Sequence, residues 1–445
     1  MPEVDPKPGA AWVQDDRSRL VTRTSNPLRR RLRFIALSLA NWLDRRPGVV
    51  GALVELRPGV LVRSALAPKL SRFRTRLRPG STSVIGDRNL RSLVSPIPER
   101  SMTPVAFPQD TAGDERRIDD LPADTRPGAR QIASLRRRGR VVLAPTVLER
   151  SLEAVRCLAK AGTPMVVDGI AVDSPLPSSL VSALQDDFEP IDHRQRELQS
   201  IRIRRAAWSA EMKSPTVSVL LASRRPGDLH GAIEMVAAQR GCDVELLVGL
   251  HGSRWEPSVE SELESRWGSW LTTERFDEAT DFGTVLRTLE SRATGEYVAK
   301  WDDDDLYGAD HLLDLVLAKQ YSGAELVGKA AEFVYLEGLD KTIRRLVIGA
   351  ERFSTTLAGG ALLLERDHLR LLGGWPAGTR RVDGLLIDAV LAAGGSCYRS
   401  HGFQFILRRR PEGAHTWDAS DEYFLEDAVD QWSGLALGSA DIVAA

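Results

Sequence analysis

Glu296-Tyr297-Val298-Ala299-Lys300-Trp301-Asp302-Asp303-Asp304-Asp305-Leu306-Tyr307 joins a strand-like apolar stretch to four consecutive carboxylates. Adjacent carboxylates repel one another, and placing them at the end of a buried strand is costly unless a cation or ligand offsets the repulsion. Oxygen ligands of this kind suit a hard divalent ion, Mn²⁺ or Mg²⁺, which completes its shell with water and substrate phosphate. The plainer alternative is a solvated acidic turn. The surroundings of the run favour the ion.

Upstream, Val217-Ser218-Val219-Leu220-Leu221 reads as a strand that runs into the loop Ala222 to Gly227. Leu229 to Gln239 has helical spacing, Val244 to Leu250 is a second apolar strand ending at His251-Gly252-Ser253, and Phe282 to Ala293 is helix-like before the turn Thr294-Gly295. Strand and helix alternating at this spacing predict parallel pairing. In open α/β sheets the ligand sits beyond the carboxyl ends of the strands. The loops at Ser223, Gly252 and Asp302 all fall at such ends.

The 445 residues, 42% hydrophobic and 27% charged, have the composition of a globular protein long enough for two or three domains. The net charge of -1 conceals an N-terminal basic excess, roughly +12 over the first hundred residues. Residues 1–110 are rich in Arg, Pro and Gly, with Arg-Pro-Gly repeated at Arg46, Arg57 and Arg78, and read as short helices and linker, partly disordered. Within them Phe34 to Leu43 is too short to span a membrane, but its basic flanks would let it lie on an anionic membrane surface. Packing on its own protein is the equal alternative. Residues 111–213 read as a small α/β accessory domain, with Val141 to Ala144 and Pro164 to Val167 as strands around a helix from Leu148 to Ala161; a charged helical segment from Asp192 to Lys213 follows. Residues 214–420 hold the strand and helix alternation, and 421–445 read as a C-terminal helix or tail. Three scattered cysteines, Cys157, Cys242 and Cys397, argue against a disulfide framework and for a reducing, cytoplasmic setting, with the inner face of the membrane within reach of the basic region. The basic excess lies away from the acidic run, and nucleic acid is not an expected partner.

From about residue 215 to 418 the chain resembles a family 2 glycosyltransferase of the GT-A fold. The landmarks run in that family's order: Val217 to Pro226 as opening strand and nucleotide loop, Val244 to Ser253 as second strand with its Gly-Ser, and Gly295 to Val298 with Asp302 to Asp305 as the Asp-x-Asp segment. Ala358-Gly359-Gly360-Ala361 and Leu372-Gly373-Gly374-Trp375-Pro376 are similar to the acceptor-side glycine loop and the Gly-Gly-Trp turn. The resemblance implies a mixed, mainly parallel sheet with flanking helices. It also implies inverting, metal-dependent transfer of a sugar from a nucleotide-diphosphate sugar, UDP- or GDP-linked, to a saccharide, lipid-linked or protein hydroxyl, as in cell-envelope or polysaccharide glycosylation.

On that resemblance Asp302 faces the ribose or a metal-bound water, Asp304 ligates the metal, and Asp303 and Asp305 support them. Ser223 and Arg225 fall in the base and ribose loop, and Gly252 and Ser253 allow close approach of the nucleotide. His251 stands where many members carry an acid, so the base is open. Asp383, in Arg380-Arg381-Val382-Asp383-Gly384, matches the catalytic base, although Val382 replaces the family's Glu; Asp388 is the second choice, and a helix N-cap is the structural alternative for Asp383. His415 is the candidate third metal ligand, and Arg408-Arg409-Arg410 a source of diphosphate-neutralising charge. Trp301 and Trp375 would stack on sugar or pack the core. A nucleotidyltransferase would carry a glycine-rich loop where Ser223-Arg224-Arg225-Pro226 stands. A degenerate, non-catalytic transferase serving as a sugar-binding or scaffold protein is the other competing reading.

Overall fold

A computed structural model describes residues 115–119, 126–169, 174–189, 192–345, 349–411 and 419–442. Region 1–110, with Phe34 to Leu43, and His415 lie outside the described residues.

Three short strands, β1 (Glu115–Ile118), β2 (Arg140–Leu143) and β3 (Met165–Val167), form a parallel sheet in that order. The single helix expected from Leu148 to Ala161 is two, Pro145–Arg150 and Leu152–Lys160, because Ser151 leaves the helical region at φ −135°, ψ 38°. Their apolar faces bury Val147 and Leu148 from the first and Val155 and Leu158 from the second in one core with Val141 and Leu143. The helix His193–Ser209 starts where Asp192 accepts hydrogen bonds from the Arg194 and Gln195 amides, an N-cap worth about 1 kcal/mol. One face of it joins that core through Ile203 and Ala207. Its other side reaches the elements packed around the main sheet, where Arg204 pairs with Glu351 at 2.7 Å and Arg205 forks onto Asp314 of the helix His311–Ser322 at 2.7 and 2.9 Å.

The remaining strands are β4 (Thr216–Ser223), β5 (Asp243–His251), β6 (Leu271–Phe276), β7 (Tyr297–Trp301), β8 (Leu306–Tyr307), β9 (Leu326–Lys329), β10 (Phe333–Leu336), β11 (Lys341–Arg345), β12 (Arg352–Phe353), β13 (Ala361–Glu365), β14 (Cys397–Ser400), β15 (Phe405–Arg409) and β16 (Ala428–Ser433). Eight of them form one sheet in the order β12-β14-β9-β13-β7-β4-β5-β6. There β6, β5, β4, β7, β9 and β14 run one way, and β13 and β12 oppose them. Helices Pro226–Ala237 and His311–Ser322 bury Leu229, Ile233, Leu312 and Leu315 on one face. Helices Phe282–Arg292 and Val382–Ala392 bury Val285, Leu289, Leu386 and Val390 on the other. This is the expected architecture, a mixed, mainly parallel sheet with flanking helices behind a small α/β unit.

Side chains of a strand alternate between faces. Tyr297, Ala299 and Trp301 of β7 accordingly point into the first core and Val298 into the second, which puts Lys300 on the side of helix Val382–Ala392. The five-stranded sheet, ordered β16-β11-β10-β15-β8, receives the chain as soon as the aspartates end, since β8 begins at Leu306. Asp302 to Asp305 are thus the crossing between two sheets, closed by Tyr307 stacking on Trp301 with ring centroids 3.8 Å apart. β16, in the segment expected as a tail, is the outer strand of this sheet, paired with β11.

Candidate active site

Three parallel strands deliver their C-terminal loops to one edge of the sheet. A cleft of about 1330 Å³ opens there, lined by Arg224 and Arg225 after β4, Gly252 and Ser253 after β5, and all four aspartates after β7. β13 runs the other way, and its register sets Ala361 opposite Trp301. The Gly359-Gly360 turn that precedes it therefore lies directly beneath the aspartates. A Cβ on Gly360 would sit 2.7 Å from Asp305 Oδ2 and 2.8 Å from Asp302 Oδ2, and one on Gly359 2.4 Å from Asp383 Oδ2. Glycine is required here by close approach.

The four carboxylates divide by environment. Asp303 and Asp305 are 8% and 3% exposed, whereas the side chains of Asp302 and Asp304 open further into the cleft. Asp303 accepts from Ser223 Oγ at 2.5 Å and Arg225 Nη1 at 2.6 Å. Burial still pushes its carboxyl up to about 6 against the pull of those two partners. Asp305 accepts from the Arg408 amide at 3.0 Å and is raised well above the ordinary range by burial and by Asp302 and Asp304. Arg225 also reaches Asp304 Oδ2 at 2.9 Å.

Lys300 joins the run to the other half of the cleft. Its ammonium, 2% exposed, donates to Asp302 Oδ1 at 2.6 Å and to the Gly359 carbonyl at 3.1 Å, and lies 3.4 Å from Asp383 Oδ2. Asp383 sits in the first turn of helix Val382–Ala392. The N-cap is Arg381, and no side chain caps the helix, so the capping role weighed for Asp383 is not the one it plays. Burial pushes its carboxyl up to about 6 while Lys300 holds it down, and Oδ1 has no hydrogen-bond partner.

Of the residues singled out in the sequence, Arg225, Gly252, Ser253, Asp302, Asp303, Asp304 and Asp383 share the cleft. Ser223 does not line it: the hydroxyl is 1% exposed and spent on Asp303 and on the Arg225 amide at 3.0 Å. Gly252 has φ +93° with open space around a would-be Cβ, so backbone conformation, rather than close approach, demands glycine. His251 is buried and held by Arg224 at 2.8 and 3.1 Å; burial, then Arg224, lowers its pKa. Asp388 is exposed and outside the cleft lining, which removes the second candidate base. Trp375 and Trp301 are core residues, 0% and 1% exposed. Arg408 and Arg410 are already paired, with Glu337 at 2.8 Å and Asp228 at 2.6 Å. Lys300 went unassigned in the sequence; its signal was a lone cation inside an apolar strand.

Among the described residues no three His, Cys, Asp or Glu side chains converge as a metal cage. The donor set fits a hard ion of another kind, held by one or two carboxylates and completed by phosphate and water. Asp302, above the space that Gly360 leaves, and Asp304, beside it in the cleft lining, present such oxygens.

No protein-family model matches the chain, and no curated protein matches it. Among solved structures it is similar to the mannosyltransferase PcManGT from Pyrobaculum calidifontis in complex with GDP-Man and Mn²⁺, at 17% identity and TM-score 0.36 over 46% of this chain and 60% of that one. It is similar to S. aureus TarS 1-349 in complex with UDP-GlcNAc, at 14% identity and TM-score 0.34 over 48% of this chain and 64% of that one. A third is GalNAc-T7 with UDP, GalNAc and Mn²⁺, at 12% identity and TM-score 0.37 over 47% of this chain and 46% of that one. The chain thus spans from just under half to somewhat under two thirds of the length of these structures.

Proposed function

We propose that the protein is a GT-A-type glycosyltransferase of the family 2 kind, moving a sugar from a UDP- or GDP-linked donor to an acceptor hydroxyl with inversion. The observation that carries this reading is the meeting of Asp302 and Asp383, from opposite halves of the sheet, on the buried ammonium of Lys300. Loops after β4 and β5 would hold the nucleotide, with Arg225, Gly252 and Ser253 against it. Asp302 and Asp304 would hold Mn²⁺ or Mg²⁺, which when bound offsets the charge developing on the departing diphosphate. Arg225 would leave Asp304 for the diphosphate and keep its hold on Asp303.

Asp383 would take the proton of the acceptor hydroxyl. A carboxyl near pH 6 is ionised at neutral pH yet more basic than an ordinary aspartate, which suits a general base. Inversion requires the base opposite the leaving group, and the helix that carries Asp383 approaches from across β13.

Calorimetric titration of the full chain with UDP and GDP in the presence of Mn²⁺ tests the donor half. Asp304→Ala should weaken binding at least about tenfold, and absence of Mn²⁺-dependent binding of either nucleotide would sink the reading. Asp383→Asn should keep nucleotide binding while lowering transfer by about 10²–10⁴.

A further inference from the structure

The cleft continues past Asp383, over the ends of β9 and β14, on the side of the sheet away from the nucleotide loops. Its charge changes there. Arg345 from β11, Arg399 from β14 and Arg409 from β15 line that end, each 8% exposed or less, with Arg380 and Arg381 exposed on the loop before Asp383. Beyond the five aspartates and Glu278 beside Ser253, the one described lining acid is Glu332. Burial pushes its carboxyl up to about 8, so it is mostly neutral at pH 7.

The side chains of Arg380 and Arg381 have no ionic or hydrogen-bonded partner among the described residues. Arg381 is held at φ +55°, a backbone conformation that a side chain disfavours, two residues before the candidate base. Its guanidinium lies back over the first turn, with Nε and Nη2 3.6 Å from where a Cβ on Gly384 would be. Tyr423, 45% exposed, adds an aromatic face at the same end, beside Arg345 with its guanidinium carbon 4.8 Å from the ring centroid. Arginine forks match planar or tetrahedral oxyanions, and an aromatic face suits a sugar ring.

Resting on the transferase reading, we infer that the acceptor is an acidic saccharide, one whose carboxylate or phosphate groups are gripped by Arg380 and Arg381 at the far end of the cleft. Arg380 and Arg381 would act as specificity determinants, placing an oxyanion so that a neighbouring hydroxyl meets Asp383.

The test is binding to the full chain of two matched pairs: tetragalacturonate against its methyl ester, and a mannose oligosaccharide with a terminal 6-phosphate against its dephosphorylated form. At least one charged member should bind about tenfold or more tighter than its neutral partner, and the member that does so identifies the oxyanion. The double variant Arg380→Gln with Arg381→Gln, at two exposed positions, should reduce that preference to about threefold or less. Equal binding within both pairs overturns the inference. So does a preference that survives the double variant, which would place the anion elsewhere, on the basic residues 1–110 for instance. Binding of UDP or GDP with Mn²⁺ is measured on the same preparations; its absence would count against the donor reading, while loss of charge preference with nucleotide binding intact would count against the acidic acceptor alone.

Discussion

Glu332 follows β9 at the far end of the cleft, 4% exposed, with Oε2 lacking a hydrogen-bond partner and 3.7 Å from Arg344 Nη2. Burial and the neighbouring Glu197 raise its pKa to about 8, against the opposing pull of Arg344 and the Gly402 amide. A free glutamate titrates near 4.3, and each pH unit between the two values is worth about 1.36 kcal/mol, about 5 kcal/mol in all. The sign follows from the folded value being the higher one. The folded state binds the proton more tightly, so this group's contribution is fully present below about pH 4 and is lost as pH rises from there through 8. Glu332→Gln keeps the shape of the protonated acid and removes the titration. Its advantage over the parent should be about 1 kcal/mol at pH 5 and level off above pH 8, with relaxation and water entry reducing the full 5 to about 2–4 kcal/mol. Guanidinium unfolding of both proteins at pH 5, 7 and 9, followed by tryptophan fluorescence, reads the difference directly, because pH effects common to the two cancel. A difference that stays constant with pH, or a variant less stable at pH 9, would show that Glu332 does not carry a raised pKa in the folded protein.

Two glycines give steric predictions. In Gly360→Ala the methyl group lies 2.7–2.8 Å from Asp305 and Asp302 oxygens and 3.0 Å from the Tyr307 hydroxyl, so the carboxylates must move; Mn²⁺-dependent nucleotide binding by calorimetry should fall more than about tenfold, with a stability loss of only about 1–2 kcal/mol. In Gly283→Ala the methyl meets the Pro376 carbonyl oxygen at 2.0 Å, and the Gly283 amide bonds the Gly378 carbonyl at 2.9 Å. Neither backbone can yield cheaply, and thermal unfolding should show a loss of about 2–3 kcal/mol or more.

What was legible in the sequence was what local patterning dictates. Tyr297 to Trp301 is apolar and bounded by Gly295 and the aspartates, and it is β7 to the residue. The opening strands at Val217 and Val244 extend a residue or two beyond their apolar runs at either end, because Thr216, Ser223, Asp243 and His251 are not apolar yet belong to the strands. The order of strands was not legible. β13 sits between β7 and β9, and its partners are distant in the chain, so no window of sequence contains the pairing that brings Gly360 under Asp302. β16 reads as helix or tail in the sequence because Ala428 to Ser433, half exposed in alternation, carries too little apolar character to stand apart from a loop.

The same contrast separates the parts of the site. Acidic residues announce themselves by composition, and all four of Asp302 to Asp305 line the cleft. What ties Asp302 to the other half of the cleft is a single lysine, hidden because one cation in a strand of five looks like an exposed position. Burial reverses that impression: a lysine 2% exposed can stay charged only beside carboxylates, and Asp302 and Asp383 are both within 3.4 Å of it. Lys300 thus couples the two halves of the cleft. That Asp383 does not cap its helix, which its place before an apolar helix leaves open, fits the same contact, since its Oδ2 is drawn toward Lys300 and no side chain accepts from the first amides of that helix.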